Sequence, residues 1–113
     1  MTLSKEPTKT ILGRDPPRQE RLNGVSYQQN AIISYRGWQY AVFYTSKSIE
    51  DPQGPLLVSL SRRRKVVGTA AVWETLTLPD YEQVIDDSHN TISLGICPGD
   101  GTIHLSFDHH ADR

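Results

Sequence analysis

Between Val25 and Phe107 the apolar positions fall into short runs of β-branched, aromatic and aliphatic residues, each closed by turn residues, and no window carries a helical period. The pattern predicts consecutive strands at Asn30 to Tyr35, Trp38 to Thr45, Leu56 to Leu60, Val72 to Leu78, Ile92 to Cys97 and Thr102 to Phe107. Arg36-Gly37 joins the first two as a tight hairpin, with glycine supplying a positive φ. Pro98-Gly99-Asp100-Gly101 makes a second turn of the same kind between the last two. Along the second run Trp38, Tyr40, Val42 and Tyr44 share one face, and Gln39, Ala41, Phe43 and Thr45 the other. Apolar groups on both faces predict a strand covered on both sides.

Strand, glycine turn and strand occur at Ile32 to Thr45 and again at Ile92 to Phe107, about 60 residues further on, a spacing that fits a repeat architecture. The expectation is an all-β fold: an antiparallel four-stranded blade at residues 25–113 together with the start of a second, about one and a half blades of a β-propeller. A lone blade cannot bury both of its faces, so the chain reads as a fragment of a larger ring. Residues 1–24, with Pro7, Pro16 and Pro17, many charges and no apolar period, read as an extended or disordered leader outside the core.

Composition narrows the partners. Twelve basic and thirteen acidic residues leave a net charge of -1, which gives no long-range attraction to nucleic acid or an anionic membrane. Neither is expected as a partner. The single Cys97 has no internal disulfide partner, and 36% apolar residues suffice for one modest core. Met1 to Pro7 carry charges and a proline where an export signal needs an apolar run, and no run is long enough to cross a bilayer. Arg62-Arg63-Arg64-Lys65, ahead of Val66-Val67-Gly68, is expected in a solvated turn between outer strands. Trp38 and Trp73 could stack on sugar rings, but one tryptophan per strand is the usual pattern of blade core.

The candidate chemistry lies near the end of the chain. All four histidines fall between Asp86 and His110, and imidazole beside carboxylates suits proton transfer or metal binding. His89 is either a functional ring or a turn residue bonded to Asp86 or Asp87. His104 alternates with Ile103 and Leu105 and is expected to be structural. His89 with Asp108, His109 and His110 could hold zinc, but the spacing matches no standard zinc pattern and no cysteine pair accompanies it. The expectation is therefore no metal and no cofactor.

At Asp87-Ser88-His89-Asn90, Gly95 to His104 and Phe107-Asp108-His109-His110 the sequence resembles BNR-repeat-containing proteins related to propeller polysaccharide lyases, and Tyr27-Gln28-Gln29-Asn30 and Gly37-Trp38-Gln39-Tyr40 resemble that family's first blade. The resemblance implies a seven-bladed β-propeller and β-elimination at a glucuronate-containing linkage of a polysaccharide or oligosaccharide, as in ulvan lyases and enzymes of rhamnose–glucuronate linkages. It implies catalytic roles for His89 and His110, with His109 as the alternative should the final loop shift by one, and substrate binding by Asn90 and His109. A tyrosine and an arginine would be expected from later blades, and Arg62, Arg63 and Arg64 do not replace them. The alternative is a non-catalytic carbohydrate-binding or interaction module on the same scaffold.

Overall fold

The computed structural model describes residues 9–66 and 72–111. Six strands and no helix occur among them: β1 (Ile32–Tyr35), β2 (Trp38–Ser46), β3 (Leu56–Arg64), β4 (Trp73–Thr77), β5 (Ser93–Ile96) and β6 (Ile103–Ser106). The first four form one antiparallel sheet in sequential order, and β5 and β6 pair separately. The opening of the leader, Val67-Gly68 and Arg113 lie outside the described residues.

The β1–β2 hairpin turns through Arg36 (φ 45°) and Gly37 (φ 82°), and two successive positive φ values are the mark of a type I′ turn. The twist of this turn matches that of the strands it joins, which explains why two residues suffice. A Cβ at Gly37 would meet nothing within 4 Å, so only backbone strain opposes substitution there. Gly37→Ala is expected to lower stability by about 1–2 kcal/mol, the cost of a left-handed conformation for an L-residue. Arg36→Asn, which tolerates that conformation, is expected to raise it; thermal melts of the two variants check both signs.

Tyr40, Val42 and Tyr44 of β2 form the buried face of the larger sheet with Leu56 and Val58 of β3. Ile92, just ahead of β5, and Leu94 of β5 complete this core. Each side chain buried in full there contributes about 1.5–3 kcal/mol. A backbone bond spans the seam between the sheets: the Leu94 amide donates to the Asn30 carbonyl at 2.9 Å. On the other face of β2 and β3 Ala41, Ser59 and Ser61 are buried, and a ladder of hydroxyls links Thr45 to Ser59 at 3.1 Å, Ser59 to Thr77 at 3.0 Å and Ser61 to Thr75 at 2.6 Å.

Two expectations need correcting. The core does not begin at Val25: Leu22 is 4% exposed and belongs to it, and Asn23 bonds both the amide and the carbonyl of Tyr44. The described part of the leader has no strand, yet Gly13 packs against the Phe43 ring and Arg18 donates to the Gly54 carbonyl at 3.0 Å. Proline and charge concealed this docking because it depends on a few side chains and not on a period.

Arg62, Arg63 and Arg64 lie in β3 and not in a turn. Each finds a neighbour across the sheet. Arg62 pairs with Glu74 at 3.0 Å, Arg63 donates to Gln39 at 2.8 Å, and the guanidinium carbons of Arg62 and Arg64 sit 4.4 and 5.3 Å from the centre of the Trp38 ring. Arg63 lies over Trp73 in the same way at 5.2 Å. Long apolar stems on aromatic faces let a run of charges extend a strand.

Candidate functional site

The site is built on the turn Asp87-Ser88-His89-Asn90, closed by the Asn90 amide donating to the Asp87 carbonyl at 3.0 Å. Asp87 caps its own turn, since Oδ1 accepts the His89 amide at 2.9 Å, the local bond that favours aspartate in turns. The same Oδ1 lies 2.7 Å from His89 Nδ1, and Oδ2 lies 2.5 Å from His110 Nδ1. One carboxylate thus holds two rings from segments on either side of the β5–β6 hairpin. The imidazole centroids are 4.7 Å apart and tilted by 44°.

These contacts fix both protonation and orientation. The His89 amide, then the His110 and His89 rings, hold the Asp87 carboxyl well below the usual carboxylate range. An ionised carboxylate can only accept, so each Nδ1 carries a proton and, in a neutral ring, the lone pair resides on Nε2. The ring of Tyr27 stacks on His89 at 5.6 Å and 24°, while its hydroxyl donates to Ser88 Oγ at 2.8 Å.

Asn90 explains how His110 returns to the turn. Its side chain is fully buried, and its amide donates to the His110 carbonyl at 2.9 Å while its oxygen accepts the His110 amide at 2.6 Å. The Asn90 backbone carbonyl accepts from the Tyr44 hydroxyl at 2.7 Å, linking the turn to the core. Burial raises the pKa of Tyr44, so the phenol stays protonated as donor. Asp108, with φ 52°, lies in the left-handed bend that immediately precedes His109-His110.

The structure brings His89 and His110 together and leaves His109 exposed outside their cluster. Asn90 lies beside the cluster with its side-chain amide engaged by the His110 backbone. The His89 ring does bond Asp87, so the turn contact and the clustering with His110 coexist. His104 pairs with Thr102 Oγ1 at 2.8 Å and lies outside the cluster. The zinc set considered from the sequence is not assembled: Asp108 is 5% exposed and engaged by the Tyr81 hydroxyl and by Gln83 Nε2. The carboxylate beside the two rings is that of Asp87. Sequence reasoning offered Asp87 as a turn partner of His89 and missed its shared bond to His110 and the stacking of Tyr27. The capping position of Asp87 was a signal for the turn contact; Tyr27, distant in sequence, gave none.

Residues 38–113 match the family described as BNR repeat-containing family member. The chain is 30% identical over 93 residues to the long-isoform ulvan lyase of Alteromonas sp. (strain LOR), a match that covers 77% of this chain and 8% of that protein. It is 28% identical over 87 residues to the short isoform from the same strain, covering 77% and 16%, and 26% identical over 87 residues to the long isoform of Glaciecola sp. (strain KUL10), covering 77% and 8%. The chain therefore spans less than a fifth of the length of these relatives.

Proposed function

Because the chain belongs to the BNR repeat-containing family, we propose that its two sheets are one blade and the inner half of the next in a seven-bladed carbohydrate-active propeller, and that His89 and His110 act on a uronate-containing polysaccharide. The reaction is β-elimination at a glucuronate linkage. The observation that carries this reading is the pair of imidazoles held side by side on Asp87. With Nδ1 protonated, each neutral ring offers a basic Nε2, suited to taking the C5 proton of a uronate or a hydrogen bond from a sugar hydroxyl. Removal of that proton becomes feasible once the neighbouring carboxylate is neutralised, so a cation or hydrogen-bond donors must meet it. Arg62, Arg63 and Arg64 are engaged with Trp38, Gln39, Glu74 and Trp73.

The openness of the cluster favours a second reading, a module that binds the polysaccharide without cleaving it: the His89 and His110 side chains are 60% and 55% exposed. Both readings predict that a glucuronate-containing oligosaccharide shifts the imidazole NMR signals of His89 and His110 and leaves those of His104 in place. Unmoved signals would overturn both. New ultraviolet absorbance from an unsaturated uronate identifies the lyase, and binding without it identifies the module.

A further inference from the structure

We propose that the end of the large sheet remote from the histidines is a second binding surface, a set of fixed cations that docks the carboxylates of a polyuronate chain. Tyr35 to Gln39, Arg62 to Lys65 and Trp73-Glu74 meet there: Trp38 is in register with Arg64 and Trp73 with Arg63, and the Lys65 amide donates to the Gly37 carbonyl at 2.8 Å. These segments hold five of the twelve basic residues and one of the thirteen acids, leaving seven basic and twelve acidic residues over the rest of the sequence. The net charge of -1 thus hides a strong local excess. Glu74 is engaged by Arg62 at 3.0 Å. Asp100, in the β5–β6 hairpin whose Pro98 carbonyl accepts from the Tyr35 hydroxyl at 3.4 Å, caps Thr102. Among the described residues no carboxylate pairs with Arg36, Arg64 or Lys65, all of them exposed. The surface adjoins the tip of that hairpin and the histidines lie at its open end, so β5 and its flanks put about 20 Å between the two.

The guanidiniums are in place before a ligand arrives. Those of Arg62 and Arg64 sit against Trp38, that of Arg63 against Trp73 at 5.2 Å and that of Arg36 against Tyr35 at 5.2 Å. Stems already resting on rings lose less freedom when their heads meet an anion. A guanidinium fork matches a carboxylate in its own plane. Adjacent strands lie about 4.8 Å apart and same-face residues along a strand about 6.6 Å, so the cations recur within a few ångströms, which suits a polymer that repeats its charge and not a single small anion. A duplex nucleic acid carries charge along its whole width and length and meets the acid-rich remainder of the molecule; a single polysaccharide chain is narrow enough to touch the cations alone. That this polymer is a uronate rests on the reading above. One chain held at both places gains from the second contact as an intramolecular event.

Both tryptophans of the chain belong to this surface, and His89 and His110 lie outside it, so the two places report through different signals. Titration of the full chain with polyglucuronate at low salt is expected to change the tryptophan emission. The midpoint should rise at least tenfold in the triple variant Arg36→Gln, Arg64→Gln, Lys65→Gln, and also at raised salt, where exposed charges are screened. Far-ultraviolet circular dichroism establishes that the variant is folded; should it not fold, the pair Arg36→Gln and Lys65→Gln, which leaves the Trp38 contacts intact, gives the same test with a smaller shift. No change in emission, an equal change with neutral dextran, or an unmoved midpoint in the folded variant would overturn the surface, and tighter binding of duplex DNA than of polyglucuronate would overturn its occupant. Tryptophans that respond while the His89 and His110 imidazole signals stay in place would support the surface and sink the uronate reading of the histidines. The converse, imidazoles alone responding, would sink the surface and leave that reading standing.

Discussion

Tyr44→Ala is expected to destabilise the chain by about 3–5 kcal/mol, the range for deleting a fully buried aromatic ring. The ring is 0% exposed and belongs to the core that joins β2 to Ile92 and to Leu94 of β5. Tyr44→Phe separates the two contributions. It keeps the ring and removes the hydroxyl, leaving the Asn90 carbonyl without that donor at a cost of about 1–3 kcal/mol. Small domains hold only about 5–15 kcal/mol in total, so the alanine variant loses a large share of its stability. Urea unfolding midpoints should fall in the order wild type, Tyr44→Phe, Tyr44→Ala. Equal midpoints for the two variants would show that the hydroxyl, and not the ring, joins the sheets.

The strands were legible because their period is local. All six predicted runs contain the observed strands to within a few residues at most ends, and both glycine turns fall where positive φ is needed. The exception is the Arg64 end of β3. A run of charge signals a turn when its neighbours are unknown, and cross-strand tryptophans convert it into strand. Leu22 escaped notice for a related reason, since one buried leucine in a proline-rich segment leaves no periodic trace.

The site was half legible. His89 and His110 stood out by residue type, and the resemblance paired them; their common carboxylate needed the geometry. Asp87 and Asp108 are equivalent by composition, each close in sequence to a histidine. Burial separates them. Asp108 is engaged with Tyr81 and Gln83 inside the protein, whereas Asp87 faces the open turn with both oxygens on imidazoles. Which of two nearby acids serves a site depends on the tertiary contacts that occupy the other.

Asn90→Ala is expected to disturb both folding and the site, and the two effects can be measured separately. The substitution strands the His110 amide and carbonyl, each now bonded by the buried side chain, and should cost about 2–4 kcal/mol. Because Asn90 holds the backbone and not the ring, its loss also releases His110 from the geometry in which its Nδ1 meets Asp87. In the fraction that stays folded, the His110 imidazole signals should move toward those of a free ring, while His89, tied to Asp87 within its own turn, changes less. Asn90→Asp is the informative companion: its buried carboxylate still accepts the His110 amide but faces the His110 carbonyl as a charge, so at neutral pH the stability loss is expected to exceed that of alanine, and to shrink at acid pH, where the protonated carboxyl can donate. If the alanine variant lost stability and the His110 signals stayed in place, Asn90 would support the fold alone and the two histidines would be held by Asp87 without its help.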